Sequence, residues 1–127
     1  MDNNTHDNIL KAHCFGERSA TDYMVKYKNI LELLNERLTH SPEKEYLVFY
    51  PDSGDVVRYT YESFIGKVTG LANYLLSKGM KKGDRIATFS HNHSDTVILY
   101  YACWSLGLVA VPINVSEEPE RVSYILA

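Results

Sequence analysis

The chain has 127 residues, a formal net charge of −3, and a hydrophobic content of 45 %. That length and apolar content suit one compact domain with a buried core, and the acidic balance excludes a non-specific nucleic-acid binder, which needs a basic patch against phosphate. The two cysteines, Cys14 and Cys103, make no disulfide framework and lack the CxxC spacing of zinc and redox motifs; Cys14 is expected as a free surface thiol and Cys103 as a small buried hydrophobe.

In chain order, residues 1–28 are polar and weakly patterned, and they read as a lead-in or tail. Met1-Asp2-Asn3-Asn4-Thr5-His6 has neither a basic n-region nor an apolar run, so no secretion signal is read there. The N-x-S/T triplets at Asn3, Asn92 and Asn114 are then chance matches, and a cytoplasmic location is expected. From Asn29 the pattern sharpens. Ile30, Leu31, Leu33, Leu34 and Leu38 form a helical stripe that Pro42 closes. Residues 46–50 and 56–59 are two β-prone runs around Pro51-Asp52-Ser53-Gly54-Asp55, the signature of a hairpin.

Thr60 is placed to cap a long helix in which Phe64, Val68, Leu71, Ala72, Leu75 and Leu76 share one face. Lys78-Gly79 supplies its stop signal. Gly66 and Gly70 form GxxxG inside it, which predicts close packing on a neighbour. Residues 86–89 read as a short strand. Ser94 is the expected N-cap of the next helix, with Asp95 in its positive first turn and Gly107 at its end. Leu108 to Ile113 reads as a buried parallel strand, so strand, helix and strand fit one βαβ unit. Ser116 is the expected cap of a last helix, with Pro119 tolerable in its first turn. The fold class is therefore α/β: an N-terminal helix, a β-hairpin, then βαβ units of a partial parallel sheet flanked by helices.

Residues 96–115 carry no charge over 20 positions, which is long enough to span a bilayer. Gly107 and Pro112 split the run, Asp95 and Glu117 flank it, and its second part is β-branched, so a buried helix followed by a strand is preferred to a membrane span. The sequence has no GxxxxGK[ST] loop, GxGxxG fingerprint, GxSxG elbow, HExxH or EF-hand. Gly79 to Gly83 is a solvated turn joining a helix to a strand, whereas phosphate sites follow a strand at a helix N-terminus. His91-x-His93 with Asp95 offers two imidazoles and one acid that the helix start already uses. A metal site needs three or four ligands, so no metal ligand is assigned. The ten tyrosines are not interleaved with a basic stripe, and strand propensity with half-buried packing accounts for them.

Several segments in fixed order carry a resemblance: Arg58-Tyr59-Thr60-Tyr61; Leu71-Ala72-Asn73-Tyr74-Leu75; Gly79-Met80-Lys81-Lys82-Gly83-Asp84-Arg85-Ile86-Ala87; Asn92; Leu106-Gly107-Leu108-Val109-Ala110-Val111-Pro112-Ile113-Asn114; and Arg121 through Leu126. With these, residues 29–127 resemble the N-terminal portion of the large domain of the adenylate-forming superfamily, most closely acyl-CoA synthetases acting on fatty or similar carboxylic acids. His91 departs from the pattern, since many relatives have Pro before the Asn. The resemblance implies a fragment of an ATP-dependent carboxylate–CoA ligase. Such enzymes use ATP and Mg²⁺ to form an acyl-adenylate and then pass the acyl group to CoA. Their phosphate loop, adenine motif, ribose-binding Asp and adenylation Lys have no counterpart here, because the match stops before them. No catalytic, cofactor-binding or metal residue is therefore carried over, and no cofactor is assigned to this chain alone.

Asn92 and Asn114 match motif positions after the two predicted strands and are the substrate-side candidates, since sites in open α/β sheets lie beyond the C-terminal strand ends. The competing reading is that both hydrogen-bond local turns. A carboxylic acid would engage through the remainder of the enzyme. The alternative is a stand-alone truncated relative acting as a binding or assembly module, self-associating through an exposed sheet edge.

Overall fold

The computed structural model describes residues 26–127, together with Asp7 and the pairs Cys14–Phe15 and Arg18–Ser19. Most of the lead-in, and the expected exposure of Cys14, lie outside the described residues. The elements in order are β1 (Cys14–Phe15), β2 (Arg18–Ser19), α1 (Ile30–His40), β3 (Glu45–Phe49), β4 (Val57–Thr60), α2 (Tyr61–Ser77), β5 (Arg85–Phe89), α3 (Ser94–Leu106), β6 (Val109–Ile113) and α4 (Pro119–Leu126). Strands β1 and β2 pair antiparallel, β3 and β4 form the antiparallel hairpin, and β5 and β6 pair in parallel. Among the described residues no helix is long and apolar enough to cross a membrane.

Local chemistry sets the helix boundaries. The Asn29 side chain accepts the Glu32 N–H at 3.0 Å and starts α1. Thr60 caps α2, and Ser63 answers it in a reciprocal capping box, which satisfies two otherwise orphan donors. Gly107 ends α3 in the left-handed region at φ +69°. A Cβ there would meet the Lys82 side chain at 3.0 Å, so position 107 is restricted by both conformation and space.

Two expected caps are displaced. His93, not Ser94, caps α3, and its ring accepts the Asp95 N–H. Ser94 is turned inward instead: it is 2 % exposed, with its hydroxyl 3.4 Å from that of Tyr59 on β4. Helix α4 starts at Pro119 behind Glu118, without a side-chain cap bond. Ser116 donates its N–H and its hydroxyl to Asn114 Oδ1, at 3.0 and 2.9 Å, so it belongs to the turn after β6.

The core lies where three helices and the hairpin meet. Leu34 from α1, Phe64, Ile65, Val68 and Ala72 from α2, and Ile98 and Ala102 from α3 form one buried cluster. Phe64 is fully buried, with its ring edge-on to Tyr46 at 4.8 Å and to Tyr101 at 5.1 Å between centroids. Truncating such a ring to alanine costs about 3–5 kcal/mol. The hairpin is held to this core by Tyr46, Leu47 and Tyr59. The Arg58–Glu45 ion pair across it, at 2.7 Å, is half exposed, so solvent screening makes it a minor contributor.

The parallel pair runs in register from Arg85 opposite Val109 to Phe89 opposite Ile113. It is less buried than the sequence implies. Within β6 only Ile113 is buried, and Val109 is 47 % exposed. The sheet has two strands, α3 packs on β6, and α4 buries none of its own residues, so much of the sheet surface faces solvent. The GxxxG expectation also fails. Gly66 and Gly70 lie on the exposed side of α2, and a Cβ at either position would meet nothing within 4 Å.

The Tyr46 and Tyr101 hydroxyls hydrogen-bond to each other in a half-buried setting. Burial first, and then that bond, push the Tyr46 phenol well above its usual range. The folded state thus favours the neutral phenol. The stability this contributes is complete below the unfolded value of about 10 and is lost as pH rises beyond it. Tyr46→Phe should lose about 0.5–1.5 kcal/mol at neutral pH, the worth of one hydrogen bond. The gap between variant and parent should narrow by pH 11 in urea denaturation.

Candidate functional site

Because β5 and β6 end level at Phe89 and Ile113, the segments that follow them emerge side by side at the C-terminal edge of the sheet. Between them is a cavity of about 500 Å³ lined by Thr88, Ser90, His91, Asn92, Thr96, Tyr100, Pro112, Ile113, Asn114 and Val115. Asn92 and Asn114, the two substrate-side candidates, line it together. Asn114 also carries the local turn bonds to Ser116, so the substrate-side and turn readings coexist at that residue. Open α/β sheets place ligands at this edge, where strand ends and a helix N-terminus converge.

The lining joins hydroxyl, amide and imidazole side chains (Thr88, Ser90, His91, Asn92, Thr96, Tyr100, Asn114) to the apolar Pro112, Ile113 and Val115. The Thr88 and Tyr100 hydroxyls are 3.3 Å apart, and those of Ser90 and Thr96 are 3.1 Å apart. Among the described residues no Asp, Glu, Lys or Arg lines the cavity. Sequence reasoning missed Thr88, Ser90, Thr96 and Tyr100. The usable signal was the four-residue spacing of Thr96 and Tyr100, which puts both on one face of α3.

A second cavity of about 280 Å³ lies between β3 and the start of α3, lined by Leu47, Val48, Phe49, Asn92, His93, Ser94, Thr96, Val97 and Tyr100. The His93 ring packs against Phe49, with centroids 4.6 Å apart. Its Nδ1 accepts the Asp95 N–H at 3.1 Å and lies 3.3 Å from the Asp95 carboxylate. His93 and Asp95 are thus committed to the start of α3. Among the described residues no three His, Cys, Asp or Glu side chains converge, and none of those lining the strand-end cavity is a carboxylate that could hold Mg²⁺ beside a phosphate. Cys103, on α3, is fully buried, and burial pushes its thiol up from the ordinary value, the state of an unreactive core residue.

The His93 ring is a cap that asparagine can imitate and alanine cannot. His93→Ala should cost about 1 kcal/mol, within the usual range for a lost N-cap. His93→Asn should keep most of the stability. Chemical denaturation of both variants beside the parent checks this.

The family model described as AMP-binding enzyme matches residues 34–127. The chain is 37 % identical over 100 residues to the long-chain-fatty-acid–CoA ligase FadD13 of Mycobacterium tuberculosis, covering 79 % of this chain and 19 % of that protein. It is 29 % identical over 100 residues to the putative acyl-CoA synthetase YngI of Bacillus subtilis, covering 79 % of this chain and 18 % of that protein. The chain therefore spans about a fifth of the length of these relatives. In three dimensions it is similar to the N-terminal domain of FACL13 from Mycobacterium tuberculosis, with TM-score 0.69, 37 % identity, and coverage of 79 % of this chain and 25 % of that one. It is also similar to a Legionella pneumophila fatty acyl-adenylate ligase solved with acyl adenylate and pyrophosphate, with TM-score 0.64, 25 % identity, and coverage of 70 % of this chain and 16 % of that one. With the family model matched over most of its length, and with the fold of the N-terminal domain of adenylate-forming enzymes, the chain belongs to the AMP-binding enzyme family.

Proposed function

We propose that the chain forms the opening part of the large domain of an ATP-dependent carboxylate–CoA ligase. In that reaction a carboxylate attacks the α-phosphate of ATP, giving an acyl-adenylate and releasing pyrophosphate. The CoA thiol then displaces AMP to give the thioester. The observation that carries this reading is the family match over residues 34–127, joined to a fatty-acid–CoA ligase relative at 37 % identity. In it, Asn92 and Asn114 form part of the substrate-side wall at the strand ends. Among the described residues the lining supplies hydrogen bonds but no Lys, Arg or carboxylate, so no step of nucleotide chemistry is assigned to this chain's residues. A cytoplasmic location belongs to the same reading.

ATP–pyrophosphate exchange tests it. The 127-residue chain should give no acid-dependent exchange, and a longer ligase carrying it should. Robust exchange by the chain alone, or none by the longer protein across a panel of carboxylic acids, would overturn the reading.

A second role, self-association, is favoured by the open sheet. Phe89 and Val109 are 55 % and 47 % exposed, and Leu126 at the end of α4 is 60 % exposed. Unpaired strand edges beside apolar surface favour association. Light scattering should show the average mass rising with concentration, and a monomer at every concentration would exclude this role.

A further inference from the structure

We propose that His93 is a proton-operated switch at the start of α3, exchanging partners at one ring nitrogen and carrying Asn92 with it. Nδ1 of His93 lies 3.1 Å from the Asp95 backbone nitrogen and 3.3 Å from the Asp95 carboxylate. It serves one or the other, never both. In the neutral ring Nδ1 is the acceptor and takes the Asp95 N–H, which caps α3. A proton from solvent adds to that same nitrogen and makes both ring nitrogens donors. Nδ1 then repels the N–H and turns to the carboxylate, so protonation exchanges a helix cap for an ion pair.

The surroundings leave that exchange to Asp95. Histidine changes charge between about pH 5 and 8, and this ring is half exposed, so solvent protons reach it. A charged ring stands at the positive end of α3, which disfavours it unless the carboxylate answers. The hairpin face beside the ring, Leu47, Val48 and Phe49, carries no titratable group. Of the other titratable groups, the Tyr59 hydroxyl on β4 faces Ser94, the Tyr100 hydroxyl on α3 faces Thr88, and His91 lines the strand-end cavity. Asn92 stands one residue before the ring and lines both cavities. Asn114 is fixed separately by its bonds to Ser116. Because the ring is packed on Phe49, with centroids 4.6 Å apart, the exchange moves the backbone of residues 92–95 and not the ring alone. The spacing of the two asparagines is what the proton changes. The switch rests on this geometry, and its effect on a substrate rests on the substrate-side reading of Asn92.

Nitrogen-15 NMR of the 127-residue chain tests it. The neutral His93 ring should carry its proton on Nε2 and leave Nδ1 bare. As pH falls from about 8 to 5, the Asp95 backbone amide and the Asn92 side-chain amide should shift with the same midpoint as the His93 ring. The Asn114 side-chain amide should hold still. His93→Asn accepts the same N–H at every pH, so both shifts should vanish in it. A proton on Nδ1 of the neutral ring would overturn the proposal. So would an Asp95 or Asn92 amide that stays still while the ring titrates, or the same shifts in folded His93→Asn. The tautomer and the linked midpoints are read in the parent, so an unfolded variant does not remove the test. No turnover is involved, so failure here is distinct from failure of pyrophosphate exchange.

Discussion

Helix α3 is the element on which the rest of the structure depends. Its sequence carries one charge, Asp95, and offers no polar face to water. A helix apolar on all sides must be covered on all sides. Here Ile98 and Ala102 enter the cluster with α1 and α2, Tyr101 meets the hairpin through Tyr46, and Cys103 is fully buried. Of its residues only Asp95 and Trp104 are exposed. The hairpin, the two preceding helices and the parallel strand pair can be understood as the cover this helix requires.

The same helix organises the site. The parallel register brings β5 and β6 to a common end, and α3 begins just beyond it. Its first two turns present Thr96 and Tyr100 to both cavities, so one face of one helix divides a polar compartment from an apolar one. The His93 ring fixes that start by capping the helix while packing on Phe49 of the hairpin. A change at residue 93 is therefore felt in the helix cap and in a cavity wall at once.

Much of this was legible in the chain. Apolar spacing located α1 and α2, the Pro-Asp-Ser-Gly turn located the hairpin, and Gly107 marked the end of α3, because these signals are local and act through conformational preference alone. The resemblance found in the ordered segments agreed with the family and the fold. The displaced caps were less legible. Ser94 and Ser116 both have the side chain of a good cap, yet one is drawn into a contact with Tyr59 and the other into the Asn114 turn. Which hydroxyl caps a helix is decided by what else stands within reach, and that partner is remote in sequence or competes from the next turn. The GxxxG of α2 erred for a related reason: a pair of glycines permits close approach but supplies no neighbour to make it.

By itself the sequence determined the α/β class, the order of the elements from α1 onward, the family, and the two asparagines after the strands, since each rests on periodicity, on turn chemistry or on segments in fixed order. Only the tertiary structure decided that Asn92 and Asn114 share one cavity, that Thr88, Ser90, Thr96 and Tyr100 join them, and that an apolar cavity adjoins it. The physical reason is that a cavity is a property of register and packing. Whether residues 22 positions apart meet depends on where two strands end relative to each other, and no local preference encodes that distance.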